Sequence, residues 1–105
     1  NRIQKVLSHI RKNIYKTVDI DSLAAISCLS KDHFIRLFKK EVGTTPLQYI
    51  NQKKIEKAQL ILITEDIPVK NIAYLLAYED HSYFNRLFKK ITDVTPQQYR
   101  ELYKK

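Results

Sequence analysis

The chain has 105 residues, enough for one compact domain or two very small lobes, and its formal charge of +8 favours a polyanionic partner such as nucleic acid. One glycine and three prolines leave little room for hairpins or long loops, which favours helices. The single cysteine excludes an intramolecular disulfide bond, and no apolar run or signal peptide indicates a membrane span or export. Because the chain lacks methionine and begins at Asn1, we expect it to be part of a longer protein.

Helices and no strand are predicted, because the apolar residues recur at intervals of three and four rather than two. A first helix covers about the first dozen residues, with an apolar side formed by Ile3, Val6, Leu7, Ile10 and Ile14. Asp19 is a favourable N-cap for a short second helix that ends near Ser27. The residues that this second helix is expected to bury are Leu23, Ala24 and Ile26.

Ser30 is the N-cap of a third helix, predicted over residues 31–42, and Gly43 ends it as a left-handed glycine does. Thr45-Pro46 is an N-cap and first-turn pair that opens a long fourth helix. This helix is expected to end near Ile63. The residues predicted along one side of it are Leu47, Ile50, Lys54, Ala58, Ile61 and Leu62.

Pro68 is predicted in the first turn of a short fifth helix, which carries Ile72, Ala73, Leu75 and Leu76. Asp80 is the N-cap of a sixth helix, predicted over residues 81–91. Thr95-Pro96 opens a seventh helix that runs into the basic C-terminus. The acidic doublets Glu65-Asp66 and Glu79-Asp80 both precede helices and are interpreted as caps.

Ten residues within a window of sixteen recur at an offset of 50. The first copy contains Phe34, Arg36, Leu37, Phe38, Lys39, Lys40, Thr45, Pro46, Gln48 and Tyr49. The second contains Phe84, Arg86, Leu87, Phe88, Lys89, Lys90, Thr95, Pro96, Gln98 and Tyr99. A repeat of this period indicates that one supersecondary unit is present twice.

In each copy a short helix, a tight turn and a longer helix match the helix-turn-helix of DNA-binding proteins. Ala24 and Ala73 fit the small residue needed where the two helices cross closely. Their offset is 49 rather than 50, so the second turn is one residue longer. The predicted fold is therefore all-α, with seven helices. It consists of a helix-turn-helix subdomain at residues 1–45, a connecting helix at residues 46–64 and a second helix-turn-helix subdomain at residues 65–105.

Each longer helix has an apolar back and a polar, cationic front when its residues are placed at 100° intervals. The apolar stripes are Phe34, Leu37 and Phe38 in the first copy and Phe84, Leu87 and Phe88 in the second. The polar fronts are Asp32, Ile35, Arg36 and Lys39 in the first copy and Ser82, Asn85, Arg86 and Lys89 in the second. We interpret the stripes as core and the fronts as DNA-contacting surfaces, because the motif occurs twice in a chain of charge +8.

The predicted fourth helix is long enough to separate two DNA-reading helices. Its ~18 residues at ~1.5 Å each span roughly 27 Å. The major groove recurs on one face of DNA about every 34 Å. We therefore expect the two recognition helices to lie in successive major grooves.

The residues resemble a known family in both halves. The first half of the pattern comprises Leu23-Ala24, Leu29-Ser30, Phe34, Arg36 to Lys40, Gly43 to Pro46, and Tyr49. The second half comprises Ile72-Ala73, Tyr78, Asp80 to Phe84, Arg86, Phe88 to Lys90, Thr95-Pro96, and Tyr99-Arg100. Over essentially its whole length the chain resembles the DNA-binding domain of the AraC/XylS family.

This resemblance implies a bacterial transcription regulator, most often an activator, with two helix-turn-helix subdomains and a connecting helix. It also implies contact with RNA polymerase at promoters and a sensory or dimerisation domain elsewhere in the full-length chain. We expect a cytoplasmic location, no membrane association, no cofactor and a monomeric state for this part of the protein.

The chain departs from the family pattern in both turns. The family usually has glycine there, in a left-handed conformation, whereas this chain has Cys28 and Ala77. A non-glycine residue at positive φ costs on the order of 1 kcal/mol. Either both turns are mildly strained or their geometry differs from that of the family.

Lysines shared by the two copies are assigned to the DNA backbone. The full set of expected phosphate contacts is Lys31, Lys39, Lys40, Tyr83, Lys89 and Lys90. Exposed positions that differ between the copies are expected to discriminate between bases. These are Asp32 and Ile35 in the first copy and His81, Ser82 and Asn85 in the second.

Three of these side chains match particular base edges: Asn85 can pair with adenine, Ile35 can pack on a thymine methyl group, and Asp32 can accept from cytosine N4. Alternatively, Asp32 contributes a favourable negative charge at the helix N-terminus. Arg36 and Arg86 are also assigned to base contact, with a grip on the backbone as the alternative.

An enzyme is the first competing interpretation. Three scattered histidines, without a glycine-rich phosphate loop or a useful carboxylate pair, provide no catalytic constellation, and a lone cysteine gives no support for a metal site. The second competing interpretation is a basic helical module that binds a membrane surface or an acidic protein partner. Such a module would need exposed apolar anchors. The predicted function is therefore sequence-specific binding of double-stranded DNA, without catalysis.

Overall fold

The computed structural model describes residues 1–105 and contains seven α-helices and no strand. In chain order the helices are α1 (Arg2–Lys12), α2 (Ile20–Ser27), α3 (Lys31–Val42), α4 (Pro46–Thr64), α5 (Val69–Leu75), α6 (His81–Thr92) and α7 (Pro96–Tyr103). The predicted all-α class with seven helices is confirmed.

Side-chain caps begin most of these helices where the sequence predicted them. Asp19 accepts a hydrogen bond from the Ser22 amide at 2.8 Å, and Ser30 accepts one from the His33 amide at 3.3 Å. Thr95 forms a reciprocal capping box with Gln98 at the start of α7. These bonds satisfy amides that have no partner within the helix.

Two predictions about the start of α5 were wrong. Pro68 lies at the N-cap rather than in the first turn, and its side chain supplies no capping hydrogen bond. Asp66 does not cap α5 either, because its carboxylate pairs with the ammonium group of Lys104, directly after α7. Asp80, in contrast, caps α6 by accepting from the Ser82 amide at 2.8 Å.

The chain divides into two compact units, Asn1–Lys53 and Lys54–Lys105, so α4 contributes its first part to one unit and the rest to the other. In the first unit Phe34 and Phe38 are completely buried. Their rings meet edge to face with centroids 5.8 Å apart, and Phe38 meets Tyr49 in the same way at 5.7 Å. The other buried apolar residues of this core are Ile3, Val6, Ile10, Leu23, Ala24 and Ile50.

The second unit repeats this aromatic arrangement. Phe84 and Phe88 are completely buried with ring centroids 6.0 Å apart, and Phe88 lies 5.7 Å from Tyr99. The remaining buried apolar residues are Ile55, Ala58, Ile61, Leu62, Ile72, Ala73, Leu76 and Tyr78. The prediction that both phenylalanine stripes form core is therefore confirmed.

The apolar positions named from the sequence differ in burial. Leu47, placed along one side of α4, is 58% exposed, and Leu75, placed on α5, is 43% exposed. Ile26, expected to be buried on α2, is half-buried and packs against the first core. Ile55 is completely buried although it was not placed on the apolar side of α4. A single stripe along α4 fails because its two parts pack into two different cores, and each part buries its own side chains.

Both helix-turn-helix turns contain a left-handed residue that is not glycine. Cys28 has a φ of 61° and Ala77 a φ of 66°. In each turn the next amide bonds back five residues, from Leu29 to the Ala24 carbonyl at 3.2 Å and from Tyr78 to the Ala73 carbonyl at 3.0 Å. This is the Schellman arrangement, so the turns keep the left-handed geometry and carry its strain.

Replacement of Thr44 by valine is expected to stabilise the first unit. Its hydroxyl oxygen is buried without a hydrogen-bond partner, and Val94 occupies the matching position 50 residues later. Thr44→Val keeps the shape and removes the desolvated hydroxyl, so the free energy of unfolding in urea is expected to rise by about 1 kcal/mol. The matched control, Val94→Thr, is expected to lower it, and a loss of stability in Thr44→Val would contradict the explanation.

Candidate nucleic-acid interface

α3 presents most of its predicted DNA-contacting side chains to solvent. Because Phe34 and Phe38 fill the core, the opposite side of the helix faces outward. The exposed side chains on it are Lys31, Asp32, Arg36, Lys39 and Lys40. The two lysines of the last turn also lie favourably at the negative end of the helix dipole.

α6 presents a matching surface. Its exposed side chains are Ser82, Tyr83, Arg86, Lys89 and Lys90. His81 is half-buried, because its ring meets the ring of Tyr74 on α5 edge to face at 6.4 Å. The two units therefore each carry one helix with a buried aromatic side and an exposed cationic side.

Ile35 and Asn85 are less exposed than the helical wheel suggested, and both are half-buried. Each lies only about 60° from a core phenylalanine, at 100° per residue, so it occupies the flank of its helix rather than the front. Ile35 packs against the core of the first unit. The Oδ1 atom of Asn85 is buried without a hydrogen-bond partner. In bidentate pairing with adenine, Oδ1 accepts from N6 and Nδ2 donates to N7, so this pairing requires the Asn85 side chain to rotate.

Lys31 has a partner in the free protein. Its ammonium nitrogen lies 3.6 Å from an Asp21 carboxylate oxygen on α2. Both side chains are largely exposed, so this ion pair contributes little stability. Asp32, in the first turn of α3, lies where a negative charge stabilises the helix.

The net charge is divided unequally between the two units. The first unit contains ten Lys or Arg residues and four Asp or Glu residues, a net charge of +6, and the second contains nine and seven, a net charge of +2. α1 alone has four exposed cations and no acidic residue: Arg2, Lys5, Arg11 and Lys12. Long-range attraction of a polyanion is therefore concentrated on the first unit.

Arg100 on α7 and Lys104, directly after it, donate to backbone carbonyls at and just beyond the end of α4. Arg100 donates to the Leu62 carbonyl at 3.0 Å and to the Glu65 carbonyl at 3.1 Å. Lys104 also donates to the Glu65 carbonyl, at 2.6 Å. These bonds satisfy carbonyls that have no partner within the helix. The sequence showed only that the C-terminus is basic, because residues 35 or more positions apart had to be brought together.

Lys54 is a buried cation that the sequence placed on the apolar side of α4 without assigning a role. It is 5% exposed, and its ammonium group donates to the Leu76 carbonyl, directly after α5, at 2.7 Å. It also lies 5.9 Å from the centre of the Tyr78 ring. Burial lowers the pKa of Lys54 from its usual 10.5 to about 8. In the sequence, the sign of this buried contact is a lysine within the apolar side of α4.

No group of three or more His, Cys, Asp or Glu side chains lies close enough to hold a metal ion. Cys28 is exposed and not part of a disulfide bond. None of the seven helices combines the length and the apolar character that crossing a lipid bilayer requires.

Comparison with known proteins supports a helix-turn-helix domain. A family model described as a helix-turn-helix domain matches residues 23–102. The MmsAB operon regulatory protein of Pseudomonas aeruginosa is 34% identical over 90% of this chain and 31% of its own length. The arabinose operon regulatory protein of Escherichia coli is 30% identical over 95% of this chain and 35% of its own length. The chain thus spans about a third of these relatives.

Solved structures are similar over nearly the whole chain. The C-terminal domain of AraT, a response regulator from Geobacillus stearothermophilus, has a TM-score of 0.93 at 26% identity, covering 99% of this chain and 87% of that one. The DNA-binding domain of AdpA, solved in complex with a target DNA, has a TM-score of 0.92 at 24% identity, covering 97% and 92%. At that identity the second likeness concerns the fold alone.

The lowered pKa of Lys54 gives the second unit a measurable pH dependence. Between pH 8 and 10.5 the unfolded chain retains a proton that the folded chain has released. The contribution of this group to the free energy of unfolding therefore rises with pH, by up to about 1.4 kcal/mol per pH unit. Chemical denaturation between pH 7 and 10 is expected to show this rise, and Lys54→Met is expected to remove it.

The pH dependence of unfolding has to be compared between the wild type and Lys54→Met, because Tyr78 also contributes to it. Burial raises the pKa of its hydroxyl group, so above pH 10 Tyr78 destabilises the folded state as the unfolded tyrosine ionises. Lys54→Met retains Tyr78, and the difference between wild type and variant therefore isolates Lys54. Equal pH dependence in the two proteins would show that Lys54 keeps an ordinary pKa.

Proposed function

The chain belongs to the AraC/XylS family of helix-turn-helix transcription regulators, and we propose that it is the DNA-binding part of a bacterial regulator that reads double-stranded DNA with α3 and α6. The observation that carries this proposal is the duplication of one arrangement. In both units a pair of buried phenylalanines anchors a helix whose opposite side is exposed and cationic. Such a helix matches the recognition helix of a helix-turn-helix protein.

The names of the similar proteins support this role. The two curated relatives are operon regulatory proteins. Since this chain spans about a third of the relatives, the remainder of the full protein is proposed to supply a sensory or dimerisation domain. Activation of transcription through RNA polymerase, in the cytoplasm, is part of the same proposal.

The proposed mechanism divides the side chains by task. Lys39 and Lys40 on α3, with Lys89 and Lys90 on α6, neutralise phosphates and hold each helix in register on the duplex. Lys31 and Tyr83 add phosphate contacts, while Arg36 and Arg86 reach base edges.

Discrimination between bases is assigned to positions at which the two helices differ. Asp32 and Ile35 face the first half-site, and His81, Ser82 and Asn85 face the second. Because the pairs of side chains are chemically different, the two half-sites are proposed to differ in sequence. The chain would then read an asymmetric operator, unlike a symmetric dimer of identical subunits.

We further propose that α3 and α6 bind successive major grooves of one duplex. α4 has 19 residues, which corresponds to about 28 Å of helix. That length is comparable to the ~34 Å repeat of the major groove. No catalytic activity is assigned to the domain, and its apolar stripes are unsuited to membrane anchoring because Phe34, Phe38, Phe84 and Phe88 are completely buried.

Selection of bound sequences from random duplex DNA tests the whole proposal. We expect two enriched half-sites of different sequence with centres about one helical turn, 10–10.5 base pairs, apart. Enrichment of a single half-site would contradict the two-groove arrangement. The absence of any enriched sequence, with equal binding to anionic vesicles and to DNA, would contradict DNA recognition itself.

Asn85→Ala tests base reading in the second half-site. Loss of a base contact is expected to weaken binding to the preferred duplex by about 1–3 kcal/mol and to flatten the preference at one or two base pairs. Gln97→Ala, on the exposed side of α7, is the control and is expected to leave both unchanged. If Asn85→Ala weakened binding equally for every base substitution in that half-site, its assignment would be wrong.

Neutralising a pair of phosphate-contacting lysines is expected to change the salt dependence of DNA affinity and to leave the sequence preference unchanged. In Lys39→Gln/Lys40→Gln the slope of log affinity against log salt concentration should become shallower by about 1.8, since each phosphate contact contributes about 0.9. Lys70→Gln/Lys105→Gln removes the same charge from exposed positions outside α3 and α6. An equal change in that control would indicate that only the net charge matters.

A further inference from the structure

The second helix-turn-helix turn combines three unfavourable features. Between its left-handed residue and the N-cap of the next helix it contains one residue more than the first turn does. Its left-handed position is Ala77 at a φ of 66°, and a cation is buried beneath it. Alanine is strained in this conformation, where glycine is not. A turn that is both longer and strained needs an additional contact to keep a single geometry.

Lys54 supplies such a contact at the peptide that determines this geometry. Its ammonium group donates to the Leu76 carbonyl at 2.7 Å, and this carbonyl belongs to the peptide bond between Leu76 and Ala77. The orientation of that peptide plane is coupled to the backbone angles of Ala77. A charge-assisted hydrogen bond is roughly twice as strong as a neutral one, so Lys54 holds the plane more firmly than a neutral donor would.

The first turn is supported differently. The residue that precedes its left-handed Cys28 is Ser27, which is completely buried and donates its own hydroxyl to the Ala24 carbonyl at 2.6 Å. Leu76 occupies the corresponding place before Ala77 and has no hydroxyl to donate. The two copies of the repeat therefore differ here: a hydroxyl group supports the first turn, and a cation from α4 supports the second.

The position of this turn is transmitted to α6 through packed aromatic rings. Tyr78, directly after Ala77, lies 5.4 Å from Phe84 and 6.1 Å from Tyr83, measured between ring centroids. The Lys54 ammonium group lies against the same Tyr78 ring. A change at the Leu76–Ala77 peptide therefore moves a side chain that packs on the first two turns of α6, where His81 and Ser82 are also located.

We propose that Lys54 is a positioning residue for the second recognition helix. By holding the Leu76 carbonyl it sustains the left-handed conformation of Ala77 and sets the angle at which α6 leaves the turn. This inference rests on the proposed function, since it assigns to Lys54 an effect on reading of the second half-site only. Lys54 itself is only 5% exposed, so no direct contact with DNA is assigned to it.

Amide hydrogen exchange tests the structural part of this inference independently of DNA. The amides of Ala77 and Tyr78 bond to carbonyls of α5 at 2.9 and 3.0 Å. In Lys54→Met we expect these two amides to exchange at least about tenfold faster. The amides of Cys28 and Leu29, which make the matching bonds in the first turn, serve as an internal control and are expected to change less than about twofold. Unchanged protection of Ala77 and Tyr78 would overturn the inference.

Binding to duplexes with one altered half-site tests the functional part. In Lys54→Met we expect discrimination against a mutated second half-site to fall about tenfold, whereas discrimination against a mutated first half-site stays within about twofold. A purely stabilising role would lower the folded fraction and weaken both duplexes equally. Equal weakening, with discrimination retained, would therefore overturn the proposal.

Two further variants keep the test decisive. Lys54→Arg retains a charged donor and is expected to retain discrimination at the second half-site. Ala77→Gly removes the strain, so in the Lys54→Met background it should restore most of the lost discrimination. If Lys54→Met fails to fold, folding of the double variant would support the proposal, and its failure to fold would overturn it.

The outcomes also separate this inference from the proposed function. If the wild-type chain discriminated neither half-site, the proposed DNA reading would fail. Exchange at Ala77 and Tyr78 would still decide whether Lys54 holds the turn.

Discussion

Burial of two phenylalanines four residues apart is the constraint on which each unit depends. Phe34 and Phe38 in the first unit, and Phe84 and Phe88 in the second, leave no exposed surface. A tyrosine of the following helix meets the second ring of each pair at 5.7 Å. Because a helix has only one buried side here, anchoring that side determines which residues remain outside. The cationic surface of α3 and α6 is thus a consequence of aromatic packing behind it.

Both ends of these two helices are determined by local chemistry. Ser30 and Asp80 satisfy amides at the N-terminal ends, and left-handed residues, Gly43 and Asp93, end the helices with φ values of 96° and 72°. The chain tolerates non-glycine residues at three of its four left-handed positions. This strain is sustained where tertiary contacts surround it, as at Ala77 beside the bond from Lys54 to Leu76.

The two units share a scaffold but differ in electrostatics. Their net charges are +6 and +2, although both bury a matching pair of phenylalanines. In the second unit Lys54, Arg100 and Lys104 bind backbone carbonyls, so part of its positive charge serves to hold helices together. We infer that the first unit provides more of the sequence-independent attraction for DNA.

Features governed by neighbouring residues were predictable from the sequence. Capping by Asp19 and Ser30, the phenylalanine stripes and the longer second turn depend on residues within a few positions of each other, and periodicity reveals them. Tertiary structure alone decided the half-burial of Ile35 and Asn85, the burial of Ile55, and the partners of Lys54, Arg100 and Asp66. These depend on residues that lie far apart in the chain, and a helical wheel treats the surroundings of a helix as uniform. The sequence by itself therefore determined which helices form and which side α3 and α6 bury. Packing between helices decided which polar groups are left free to reach a ligand, because a flank residue is covered only when a neighbouring helix lies beside it.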